Sequence, residues 1–321
     1  MRKDTLQVYK FTLRQMVKNR SNRIVFGILI LIAALAIPVC GIFFGGDGGA
    51  ISAEVSVSTV AEYLSADEVS FDTRYGVQYT YSIIALIICV FSVTYIVRTI
   101  VEEKASKLVE TLMVSIRPLA LVLGKILAVM TYMFAQLLLI AAVAAASYFI
   151  SGQFMDVAFI GEKLAELGIS MEVLRMGPDM ICAVLVSLAL AYLFFSLIAG
   201  LSGAGCSNMD EIESANLAAM GAILFGYIAA AAALGASGTP LTAVFAICPF
   251  LSAFTAPAYY IFGDIGWGVL LASWAAELLC IAVLLILTAR VYDQLILYKG
   301  SRLKMTKILA MAGGREGGKR K

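Results

Sequence analysis

Six long apolar runs are laid out along the chain, at 24–44, 77–97, 124–150, 179–201, 214–234 and 267–288. At 1.5 Å per residue each is long enough to cross a hydrocarbon core of about 30 Å as an α-helix. A seventh apolar stretch, 241–263, carries Pro249 and Pro257, which are expected to break it. Between the runs lie polar segments at 1–23, 45–76, 98–123, 151–178 and 290–321. The pattern predicts an all-α polytopic membrane protein with six transmembrane helices and a single transmembrane domain over 1–321.

The basic residues decide how the seventh stretch is read. With six full spans, seven Lys and Arg precede the first, five lie between the second and third, and nine follow from Arg290; Arg74, Lys163 and Arg175 fall on the other side. Basic residues gather on the cytoplasmic face, so both termini are expected inside. A full crossing by 241–263 would carry the basic tail outside. A re-entrant hairpin from the outside fits better, and broken backbone at membrane depth needs protein or water around it. Pro249 and Pro257 are therefore candidates to line a substrate path.

Two amphipathic stretches flank the early spans. In 1–23, Leu6, Tyr9, Leu13, Met16 and Val17 form an apolar stripe beside Lys10, Arg14 and Lys18, which suits a helix lying at lipid headgroups. In the second, Arg98 to Lys125, Glu103, Lys107 and Glu110 share one helical face while Val101, Ala105, Leu108 and Leu112 lie opposite. Pro118 is expected to end this helix. Residues 45–76 form a small acidic extracytoplasmic loop. The fifth run is rich in small residues (Ala218, Ala219, Gly221, Ala222, Gly226, Ala229 to Ala233), which permits close helix packing or a subunit contact.

Composition agrees with this architecture and removes several chemistries. The chain is 61% hydrophobic and 14% charged, with a mean hydropathy of +0.92, well outside the soluble range. It has no histidine, which excludes histidine triads, histidine-ligated metals and imidazole relays. The six cysteines are scattered and none has CxxC spacing, so they read as small apolar residues. Gly313 to Lys319 has the glycine-lysine spacing of a phosphate loop, but Arg320 stands where a hydroxyl residue would hold magnesium, and no strand precedes it. No nucleotide site, catalytic set or bound cofactor is expected, and the basic ends belong to membrane orientation rather than nucleic acid. Glu277 is the one ionisable residue deep in a run; burying it costs about 2.5–3.5 kcal/mol on insertion scales, so it should face protein or a pathway.

The stretch from Glu102 to Lys125 resembles the cytoplasmic segment after the second helix of ABC-2-type transporter permeases: Glu102, Glu103 and Lys104, then Glu110 and Leu112, a turn at Ser115 and Pro118, and Gly124-Lys125 opening the third helix. The hairpin CPFLSAFTAP is similar to the extracellular re-entrant element of that family. The end ARVYDQLILYKGSRLK is similar to the tail of its sodium-exporter-like, NatB-type branch. Members of that branch often carry a much larger extracytoplasmic domain where this chain has only 45–76.

The resemblance implies the membrane subunit of an ATP-driven exporter in the cell membrane, as in a bacterial plasma membrane. ATP and magnesium would be bound by separate ABC ATPase subunits. A second permease copy, identical or similar, would complete the pathway. Glu102, Glu103, Lys104, Lys107, Glu110, Leu112, Ser115 and Pro118 would form the coupling helix within 98–123, seated on the ATPase. The substrate class (cation, lipid, peptide or drug) is left open. The alternatives are a non-transporting membrane protein for assembly, immunity or sensing, and a secondary transporter, for which intramembrane charge is sparse.

Overall fold

The computed structural model describes residues 2–44, 71–105, 118–154, 177–206, 208–233, 235 and 239–296. In chain order the helices are α1 (Arg2–Lys18), α2 (Arg20–Phe44), α3 (Phe71–Ala105), α4 (Pro118–Ser151), α5 (Pro178–Ala204), a 3-10 turn (Met209–Glu211), α6 (Ile212–Ala233), α7 (Leu241–Ile247), α8 (Pro249–Ile261) and α9 (Trp267–Ile296). No strand occurs among the described residues. Six helices are long and apolar enough to cross a membrane, and each coincides with one of the six runs.

The chain forms two compact units. One comprises Met1–Lys18, Tyr81–Met133 and Asp179–Lys321; the other comprises Asn19–Thr80 and Phe134–Pro178. In the first, close packing depends on glycine at helix crossings. A Cβ on Gly124 would stand 2.7 Å from the Cβ of Val8, and one on Gly203 would stand 3.2 Å from the Cα of Val97. The first places α1 against α4 and the second places α3 against α5. In α1 the buried face is Val8, Thr12 and Met16, while Leu6 and Val17 are exposed. Of the predicted apolar stripe only Met16 is fully buried, because Val8 is the residue that fits over Gly124.

Helix boundaries depart from the sequence expectation around the charged stretch. α3 does not stop near Val97 but continues through Glu102, Glu103 and Lys104 to Ala105. Pro118 opens α4 instead of ending a helix. Proline is favoured at a first helical position because the amide it lacks would have no partner there. Gly124 and Lys125 therefore lie inside α4, nearly two turns from its start. Lys107, Glu110, Leu112 and Ser115 lie outside the described residues, as do most of 45–76, 151–178 and 290–321.

The seventh stretch is two helices, α7 and α8, bent by 119° at their junction. Cys248, in extended conformation, forms the break, and Pro249 follows at the start of α8. Pro257 does not break the chain: it sits inside α8. Its missing amide leaves the carbonyl of Ala253 without a helical donor, and the Tyr81 hydroxyl donates to that oxygen at 3.0 Å. In the second unit, Pro38 lies inside α2 and orphans Ala34, whose carbonyl accepts from the Ser147 hydroxyl at 2.8 Å. The solution recurs: each proline inside a helix is matched by a hydroxyl from a neighbouring helix. Just past the end of α8, Gly263 has a φ of +74°, which allows the Asp264 and Gly263 amides to close back onto the Tyr259 and Tyr260 carbonyls.

Candidate functional site

Two loci in the first unit hold the charged residues singled out above. The first is the end where α3 stops and α4 begins. Lys125, on the third turn of α4, is only 2% exposed. Its Nζ donates to Glu103 Oε2 at 2.5 Å and lies 3.5 Å from the Thr99 carbonyl. Burying an ammonium is expensive unless it is paired and hydrogen-bonded, and Glu103 meets that condition from the last turns of α3. Lys104 points elsewhere: its Nζ donates to the carbonyl of Ala204 at 2.9 Å, the last residue of α5. The final carbonyls of a helix lack intrahelical donors and carry partial negative charge, so Lys104 caps α5. Glu102 is the outward member. It pairs with Arg98 at 2.6 Å, and the two side chains are 39% and 68% exposed.

Glu103, Lys104 and Lys125 therefore tie α3, α4 and α5 together at one end. Val97, Ile100 and Val101 of α3 and Ala120, Leu121 and Val122 of α4 are buried beside them. Pro118 stands at the first residue of α4. Of the eight residues read as one coupling helix, the structure brings Glu103 and Lys104 into this joint, leaves Glu102 partly exposed, and separates Pro118 onto another helix. Lys125 completes the joint. Its position after Gly124 suggested a helix start; the signal for its partner was an acid near the end of the preceding apolar run.

The second locus lies within α9. Glu277 is 1% exposed, and its Oε1 has no hydrogen-bond partner among the described residues. One turn earlier on the same face, Ser273 is also 1% exposed and its Oγ is likewise without a partner. Tyr81 and Cys89 of α3 lie within electrostatic reach of the Glu277 carboxyl. Sequence reasoning found Glu277 by its charge and missed Ser273, although the i, i+4 spacing was present.

The hairpin packs against α9, and its Ala253 carbonyl accepts from the Tyr81 hydroxyl of α3. Ala253, Phe254, Thr255, Ala256 and Tyr259 of α8 are fully buried or nearly so. A Cβ on Gly226 of α6 would stand 2.7 Å from the Phe250 carbonyl, so the small residues of α6 serve close approach to α8. The Tyr259 hydroxyl donates to Ala233, the last carbonyl of α6, at 3.0 Å. Pro249 and Pro257 thus belong to a packed, hydrogen-bonded element. No group of residues suited to hold a metal ion occurs among the described residues.

A family model described as ABC-2 family transporter protein matches residues 50–290, well over half of the chain. Comparison with curated proteins and with solved structures yields no match.

Proposed function

We propose, from the premise that this chain belongs to the ABC-2 family of transporter membrane proteins, that it is the permease subunit of an ATP-driven exporter powered by a separate ATPase. It is a membrane component of a transporter, of the permease and not the nucleotide-binding type. The finer reading, with outward transport, ABC ATPase partners, a second permease copy and the sodium-exporter-like NatB-type branch, is ours.

One observation carries it. The Glu103–Lys125 pair and the Lys104 cap on Ala204 bind three helices at the end from which residues 106–117 emerge. A push on that connection is delivered to α3, α4 and α5 together rather than absorbed at a hinge. In this reading Glu102, Lys107, Glu110, Leu112 and Ser115 present the coupling surface to the ATPase. Glu103, Lys104 and Pro118 anchor it. ATP and magnesium stay on the partner. The termini face the cytoplasm of a bacterial cell, and the cargo is a cation, lipid, peptide or drug-like amphiphile.

The test is purification of the chain with its ATPase, followed by measurement of ATP hydrolysis with and without the permease. Glu110→Lys and Glu102→Lys are expected to lower ATPase capture at least about tenfold, equivalent to about 1.4 kcal/mol. Thermal stability of the permease should not change. A chain with 106–117 scrambled that still captures and stimulates the ATPase as the native one does overturns the proposal.

A further inference from the structure

The Glu103 carboxylate has its counter-charge in Lys125; Glu277 has none among the described residues. No Lys or Arg among the described residues forms an ion pair with it, and its side chain is buried. The titratable groups within its electrostatic reach are Tyr81 and Cys89 from α3 and Cys280 from its own helix. Beyond them, Cys248 of the hairpin interacts with Cys280, and Tyr192 of α5 with Cys89. All are hydroxyls or thiols, and none supplies positive charge. An unbalanced carboxylate within a span costs several kcal/mol, so the balancing charge must be a bound cation. Two buried oxygens lack partners here, Glu277 Oε1 and Ser273 Oγ. Two are too few to replace the hydration shell of an alkali ion, but they are enough for a proton.

We propose that Glu277 and Ser273 form an intramembrane proton-binding site, in which the Glu277 carboxyl takes up and releases an exchangeable proton. On protonation the carboxylate becomes a carboxylic acid whose O–H is a donor for the Ser273 oxygen one turn away. On release the proton leaves and the negative charge returns to a site flanked by the Tyr81 hydroxyl, which also holds the Pro257-orphaned carbonyl of α8. The protonation state of Glu277 is thereby linked to the helix that packs the hairpin. The proposal rests on the permease reading only in placing Glu277 inside a membrane span.

The experiment uses the full chain in vesicles of phosphatidylethanolamine and phosphatidylglycerol, without the ATPase, so its outcome is independent of the coupling proposal. Infrared spectra of the native chain and of Glu277→Gln are compared from about pH 5 to about pH 10, with and without deuterium exchange. In parallel, dicyclohexylcarbodiimide, an apolar reagent for protonated carboxyls, is applied and the label is located by mass spectrometry. The expected result is a carboxylic-acid carbonyl band that is absent in Glu277→Gln, shifts in deuterium oxide and disappears at high pH. Labelling of Glu277 falls with it by about tenfold per pH unit above the midpoint, and Ser273→Ala moves the midpoint. Absence of the acid band at every pH overturns the proposal. So does a band that does not exchange, which marks a locked structural acid. Loss of band and label on adding sodium or potassium at constant pH overturns it in favour of an alkali-cation site.

Discussion

Glu103 and Glu277 are both acids packed among helices of the same unit, and they are balanced in different ways. Glu103 faces the Lys125 ammonium at 2.5 Å, with side-chain exposures of 13% and 3%. Glu277, at 1% exposure, has the Tyr81 hydroxyl and the thiols of Cys89 and Cys280 within electrostatic reach, and no ammonium among the described residues. A buried pair whose charges cancel within the fold has no need of an external ion, and its energy depends on geometry, so it serves as a joint. A buried acid with no ammonium beside it must bind a proton or another cation to lose its charge. In the roles proposed above, the same side chain would transmit force at one end of α3 and bind charge beside the middle of it. The difference lies only in whether a neighbouring helix supplies an ammonium.

The strongest way to break this comparison is to remove the ammonium. Lys125→Met removes the ammonium from beside the part-buried Glu103, at an expected cost of about 3 kcal/mol, the low end for breaking a buried pair. The measurement is thermal unfolding in detergent. Adding Glu103→Leu should recover most of the loss, because an apolar pair of similar volume replaces a buried ion pair at little cost. If Lys125→Met unfolds as the native chain does, Glu103 is not held as a joint and the contrast fails.

Removing the Tyr81 hydroxyl has a smaller expected effect. Tyr81→Phe strands the Ala253 carbonyl that Pro257 orphans, costing about 1 kcal/mol. Protease accessibility of the α7–α8 hairpin should rise while the α3–α5 joint stays protected. Equal loosening at both places would show that the two regions are not separate.

Smaller still is the exposed pair. Arg98→Ala removes the partner of Glu102 at a site where both side chains reach solvent. The expected change in unfolding is about 0.5 kcal/mol or less. Together with Lys125→Met it measures how much burial alone adds to an acid–base pair, since the two pairs sit near the same end of α3.

The fold was largely legible because six apolar runs of spanning length leave few architectures open. The joint was less so. Read as a surface pattern, Glu103 and Lys104 belonged to an outward amphipathic helix; in three dimensions they turn toward Lys125 and Ala204, partners 22 and 100 residues away. Local periodicity carries no information on such pairings. Pro118 and Pro257 misled for a related reason. Proline marks a missing amide, but whether that breaks a helix depends on position and on a hydroxyl supplied from elsewhere. Glu277 was visible because a single charge in an apolar run is conspicuous. Its missing partner could be seen only once the neighbouring helices were in place.

The least disruptive change is also the sharpest. Glu277→Gln and Glu103→Gln are the same substitution, one oxygen exchanged for an NH2 of nearly equal size. At Glu103 it withdraws a charge that Lys125 depends on, so the cost should approach that of Lys125→Met. At Glu277 it replaces a protonated acid by a neutral amide, and the unfolding free energy should stay within about 0.5 kcal/mol of the native value. The amide cannot release a proton, so under the proposed coupling any pH dependence of ATPase stimulation that originates at Glu277 should disappear, while ATPase capture through 98–123 should remain intact. A large loss of stability in Glu277→Gln would mean that the carboxylate is ionised and balanced by a partner in the fold. The two acids would then be of one kind.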